Sequence, residues 1–298
     1  MSGFGTGLLS ALGAVVIFGA QLPVAKSAYA FLDPFTLSAI RYGAALLLLL
    51  GLLVFREGAG ALSLGRRPGR IALAGLLGMA GSPLLVFAGL MYTLPEHAVI
   101  ILALQPSMTA LAQWRLHGKR PARFAIGSIL VAFAGVVLVV ATPGARAGDS
   151  KLLGDFLVIS GAACWITYTM MLSGFPEFGA LRFTALSCLF GTLGIVAFTI
   201  FALFAGIARM PEADALVEVA PHLAFLSLMG VVLAMLLWNY GNARIGPLNS
   251  MLLLNLMPVE TYLIRYMQGA RFGWHEWVGA AMVVGALVAN NVYQRRST

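Results

Sequence analysis

The chain has 298 residues, 60% of them hydrophobic and only 10% charged, with a formal net charge of +8. A soluble domain carries about 25% charged residues, so an ordinary water-soluble enzyme or binding module is excluded. The basic residues are spread over short loops between apolar runs instead of forming one patch, which argues against nucleic acid as a partner.

Ten apolar runs are each long enough to cross a hydrocarbon core of roughly 30 Å: 4–25, 34–55, 70–91, 95–114, 122–142, 152–172, 180–206, 219–242, 247–267 and 274–294. The first carries Phe18 and Gln21 on one face at i, i+3, contains Pro23, and is followed by Lys26. Ala28-Tyr29-Ala30 looks like a signal-peptidase site, but Met1 to Gly7 has no Lys or Arg, so residues 1–30 are expected to be retained. The second run holds Arg41. The third is rich in small residues (Gly75, Gly78, Gly81, Ser82), which let helix backbones approach in lipid, and contains Pro83. Gln105 and Pro106 lie in the fourth. After the fifth, Thr142 to Ser150 is dense in turn formers and reads as a polar linker. The sixth run holds Trp165 and Tyr168, again at i, i+3, and the seventh holds Gly191 and Gly194. Cys164 and Cys188 sit in these two runs with neither metal-ligand nor disulfide spacing and read as small packing residues. Trp238, Asn239, Tyr240 and Asn242 end the eighth. The ninth contains Asn255, Pro258 and Glu260, the one acid clearly inside a run. His97, His117, His222 and His275 fall at run ends or loops, which gives no metal site.

With the N-terminus placed in the cytoplasm, 12 basic residues face that side and seven the other, so the positive-inside rule puts both termini in the cytoplasm. A shift of 152 residues lays Gly78, Gly89, Pro95, Pro106, Thr109 and Gly127 on identical residues: Gly230, Gly241, Pro247, Pro258, Thr261 and Gly279. A shift of 147 superimposes Phe18 on Trp165 and Gln21 on Tyr168. The chain therefore reads as two copies, 1–146 and 150–298. Each copy has five crossings, an odd number, so the second enters the membrane from the opposite side. The fold expected is all-α and integral to the membrane: ten transmembrane helices as two inverted five-helix repeats around a central cavity. Such a seam opens to either side in turn by rocking about an in-plane pseudo-twofold axis.

The duplicated unit resembles the drug/metabolite transporter superfamily, in its ten-helix EamA-type branch. The resemblance covers the whole chain. It rests on Leu94-Pro95 to Pro106 and Gly246-Pro247 to Pro258 opening the fourth helix of each half, and on Gly127 and Gly279 in the fifth. Within that branch the chain is similar to bacterial exporters of aromatic and other amino acids, the YddG type. The resemblance implies carriage of small metabolites through a central cavity without ATP, at the bacterial cytoplasmic membrane. Many members carry Gly-Glu-Arg after the fourth helix; here the stretches read His117-Gly118-Lys119-Arg120 and Gly269-Ala270-Arg271-Phe272.

Polar side chains at membrane depth cost a few kcal/mol unless paired or wet, so they are the first site candidates. Phe18, Gln21, Trp165 and Tyr168 are expected to face one another across the pseudo-twofold axis as cavity lining, their rings offering an apolar wall with polar tips. Gln105, Trp238, Asn239 and Asn255 are further substrate-binding candidates, since amides both donate and accept; the alternative is hydrogen-bonded packing between helices. Glu260 reads as a protonation site, as the partner of a substrate ammonium, or as one half of a static ion pair with Lys26 or Arg41. Pro83, Pro106 and Pro258 are expected to kink their helices beside the cavity. The function expected is a secondary transporter of small hydrophobic or aromatic metabolites, amino acids foremost, with cationic drugs or other metabolites as the alternative cargo. Neither a phosphate-binding Gly-x-x-x-x-Gly-Lys loop nor a His-Glu-x-x-His or Gly-x-Ser-x-Gly motif occurs, so neither ATP hydrolysis nor a membrane-embedded enzyme is expected. No cofactor is implied, and the partners are a small-molecule substrate and the lipid bilayer.

Overall fold

The computed structural model describes residues 3–118, 123–140 and 149–296. The expected linker falls largely outside these residues, as do Lys119 and Arg120. Every regular element among the described residues is helical. Six helices are long and apolar enough to span a bilayer: Gly3–Ala28, Pro34–Glu57, Pro68–Tyr92, Leu152–Gly174, Ala180–Phe204 and Ala213–Ile245. These are the first, second, third, sixth, seventh and eighth spans. The fifth, Arg123–Val140, is shorter, and the tenth, Trp274–Arg296, is long but more polar. The arrangement is compatible with ten crossings.

The fourth and ninth spans depart from expectation because neither is one continuous helix. The fourth is Pro95–Leu102 followed by Gln105–His117; the ninth is Pro247–Leu253, a 3-10 turn Leu254–Leu256, and Met257–Met267. Pro106 and Pro258 cause this. Each lacks the N–H that would close the preceding turn, and each stands at the second position of the following half-helix. The prolines thus restart a broken helix where a kinked one was expected. The third and eighth spans carry wide π-helical stretches at matching places, Gly75–Gly81 and Phe225–Leu233. In the third, Ser82 N–H reaches back five residues to Leu77, immediately before Pro83.

The halves interlock instead of standing side by side. The first span packs against the eighth and ninth, the third against the sixth and seventh, the second against the seventh, and the fifth against the tenth. All of these contacts run between repeats. Lipid supplies no hydrophobic force between helices, so close packing and interhelical hydrogen bonds hold them. A Cβ at Gly279 would lie 2.6 Å from the Gly135 carbonyl, which shows how near the fifth and tenth spans approach. Polar contacts add to this at one end: Arg265 of the ninth span forms an ion pair with Glu96 of the fourth at 3.1 Å, and the His97 imidazole faces Glu276 at 3.6 Å.

Candidate functional site

A cavity of about 100 Å3 lies where the halves meet, walled by Phe18, Gln21, Arg41, Phe87, Gln105 and Trp165 among others. The two π-helical stretches shape it. A Cβ at Gly78 would collide with the ring of Tyr168, and one at Gly230 would lie 2.7 Å from the Gln21 side chain. Gly78 and Gly230 are mates under the repeat, as are Tyr168 and Gln21. Each half therefore offers a bare glycine that receives the other half's side chain, and the cavity forms between these two crossings.

Phe18 and Trp165, also repeat mates, meet edge-to-face at 5.5 Å, and Trp238 joins both at 5.8 and 5.5 Å. The rings continue as a ladder from Trp165 to Tyr168, Phe183, Phe175 and Phe178. At its foot the loops after the second and sixth spans are tied together. Arg67 donates to the Gly174 carbonyl at 3.0 Å, Arg182 donates to the Ser63 carbonyl at 2.8 Å, and Arg182 lies 4.4 Å over the Phe178 ring. The cavity is thus sealed toward the loops of this end. At the opposite end a polar vestibule of about 680 Å3 opens among Lys26, Tyr29, Asp33, Arg209, Glu212 and Asp214. One hydrogen bond links the two linings: Tyr29, in the vestibule, donates to the carbonyl of Phe87, which lines the cavity.

Of the eight substrate-binding candidates, Phe18, Gln21, Gln105 and Trp165 lie in the cavity wall. Tyr168, Trp238 and Asn239 are fully buried behind it. The Asn239 amide donates to the Tyr168 hydroxyl at 2.7 Å and to Thr184 at 2.8 Å, and the Trp238 indole donates to Thr169 at 3.3 Å. These three brace the wall. Asn255 is buried at the 3-10 break of the ninth span, between the cavity-lining Leu254 and Met257 but not itself in the lining, and its Oδ1 finds no partner among the described residues.

The expected lock between Glu260 and a basic residue is not what the contacts build. Glu260 rests on Gly19 of the first span, where any Cβ would collide with its carboxylate, and its Oε2 has no hydrogen-bond partner among the described residues. Arg41 instead donates to the Gln21 amide oxygen at 3.2 Å and stacks 3.9 Å over the Phe87 ring. Lys26 donates to the carbonyls of Leu90 and Thr93, the latter at 3.2 Å. Spacing along a helix gave the depth of these groups but not the direction in which each points. Cavity residues that sequence reasoning missed include Tyr42, Phe87 and Met235. They are apolar or half-apolar side chains within apolar runs and carry no separate signal. Gly78 and Gly230 did carry one, their identity under the shift of 152 residues.

The EamA-like transporter family model matches this chain twice, over residues 5–141 and 152–292. The chain is 31% identical over 298 residues to the uncharacterized transporter YrdR of Bacillus subtilis (strain 168), covering 97% of this chain and 92% of that protein. It is 30% identical to the uncharacterized transporter YyaM of the same organism, covering 94% and 92%. A solved structure superimposes with a TM-score of 0.72 at 21% identity over 98% of both chains, a likeness of fold. With two copies of the unit enclosing one cavity, the chain belongs to the EamA-like transporter family.

Proposed function

We propose that this transporter is an alternating-access carrier exporting small hydrophobic or aromatic metabolites, amino acids foremost, across a bacterial cytoplasmic membrane with both termini inside. The reading rests chiefly on the Phe18–Trp165 pair. These mates from opposite halves stand edge-to-face in the wall of one cavity on the repeat axis. A flat apolar body packs against such rings, and each aromatic contact contributes about 1 kcal/mol. Rocking of the halves about that axis would break the Arg67–Gly174 and Arg182–Ser63 ties on one side while closing the vestibule on the other.

The test is counterflow of labelled aromatic and aliphatic amino acids into proteoliposomes. Trp165→Ala should lower flux about fivefold, the kinetic equivalent of about 1 kcal/mol of ring contact, while the protein still elutes as a folded species. Unchanged flux would remove Trp165 from the path, and failure of every amino acid to exchange would remove the cargo class.

A further inference from the structure

Arg41 lies in the second span, 1% exposed, yet it is part of the cavity wall. A guanidinium does not give up its proton at any ordinary pH, so the cavity carries a full positive charge in a medium that penalises one. Charges so placed are paired with an opposite charge. Here none of the residues lining the cavity is Asp or Glu, and Arg41 makes no salt bridge among the described residues. Its neighbours are neutral: the Gln21 amide and the faces of Phe87 and Tyr42, at 3.9 and 5.0 Å from the guanidinium carbon. Nε has no hydrogen-bond partner among the described residues. That atom is one tine of the fork with which arginine grips a carboxylate through two parallel bonds.

The position is also asymmetric. Under the shift of 147 residues the mate of Arg41 is Cys188, a buried thiol near the Thr192 hydroxyl at 3.7 Å. The cavity therefore holds one cationic side chain where strict symmetry would give two or none.

We propose that Arg41 is the anchor for a carboxylate on the transported solute, and that the cargo is an organic monocarboxylate whose apolar body lies against Phe18 and Trp165. A single guanidinium suits a single negative charge; a phosphate ester would call for a second cation. No acidic side chain in the wall receives an ammonium, so a zwitterion is held by its carboxylate, and a cation with no carboxylate is repelled. This rests on the function proposed above and narrows it, setting cationic cargo aside.

Four probes sharing one phenyl body separate the ideas: 3-phenylpropionate, its methyl ester, phenylalanine and phenethylamine, each competing for binding to the purified full chain in detergent and for exchange in proteoliposomes. The acid and the zwitterion should compete, and the amine and the methyl ester of the acid should be at least about tenfold weaker, as expected when one side of a buried charge pair is removed. Arg41→Gln should weaken 3-phenylpropionate at least about tenfold and bring the amine level with it, whereas Arg41→Lys, which keeps the charge but not the fork, should fall between. The comparison among probes on the unaltered protein needs no variant, so a misfolded Arg41→Gln leaves it decisive. Equal binding of acid, ester and amine overturns the role of Arg41 and leaves the aromatic-cargo reading standing. Binding of none of them overturns both.

Discussion

Two glycines and the side chains they admit set the dimensions of the cavity. Substituting Gly78 by Ala drives a methyl group into the Tyr168 ring, and the Tyr168 hydroxyl is fixed in turn by Asn239 and Ser187. We expect Gly78→Ala to destabilise the protein by about 1–3 kcal/mol, as overpacking does, seen as a lower melting temperature in detergent. Gly78→Ala combined with Tyr168→Ala should be less destabilised than the sum of the two single variants, because the methyl group then has no ring to meet. Glu260 invites a different measurement. It is a carboxyl group within a span, with one oxygen lacking a partner among the described residues, set against the backbone of the first span. If it carries a proton with the cargo, Glu260→Gln abolishes the dependence of flux on an imposed pH gradient; unaltered dependence excludes it. At this scale the sequence revealed which polar groups lie deep, because an apolar run makes them conspicuous. It did not reveal their partners, since Lys26, Arg41 and Glu260 all lie toward one side of the membrane and only helix rotation decides which of them meet.

Broken helices and loop ties are features of whole elements. The duplicated prolines announced a disturbance at the same depth in the fourth and ninth spans, and the structure turns it into a break. The π-helical stretches were not legible, for a wide turn needs no residue type of its own and Gly230 has no proline beside it. The tie between Arg67, Arg182 and the opposing loop carbonyls was hidden as well, because backbone acceptors leave no mark in a sequence. These two hydrogen bonds join residues of opposite halves at one end of the bundle, while the Arg182 contact with Phe178 lies within the second half. We expect the double variant Arg67→Ala and Arg182→Ala to open that end more often. A cysteine at Phe175, in a background without Cys164 and Cys188, should then react faster with a polar maleimide, and an unchanged rate would show that the ring ladder alone holds the seal.

For the whole molecule, duplication was the clearest message in the chain, and the matches of the family model to two stretches agree with it. What duplication does not convey is how thoroughly the copies are entwined, with the first span lodged against the eighth and the third against the sixth. A chain cut within the linker should therefore yield two pieces that insert but denature in isolation, and that recover stability only when produced together; the melting temperature of each piece and of the pair measures this. Cysteines introduced at the two chain ends, again without Cys164 and Cys188, should be labelled from the same face of sealed vesicles. The lone guanidinium has a last implication for why the copies share one polypeptide. Two identical subunits related by a true dyad would have to place any basic residue near the axis twice over, crowding like charges into one small chamber. Fusion frees one copy to keep an arginine while the other holds a thiol at the equivalent site, so a solute can be oriented head from tail, which an exactly symmetric vessel cannot do.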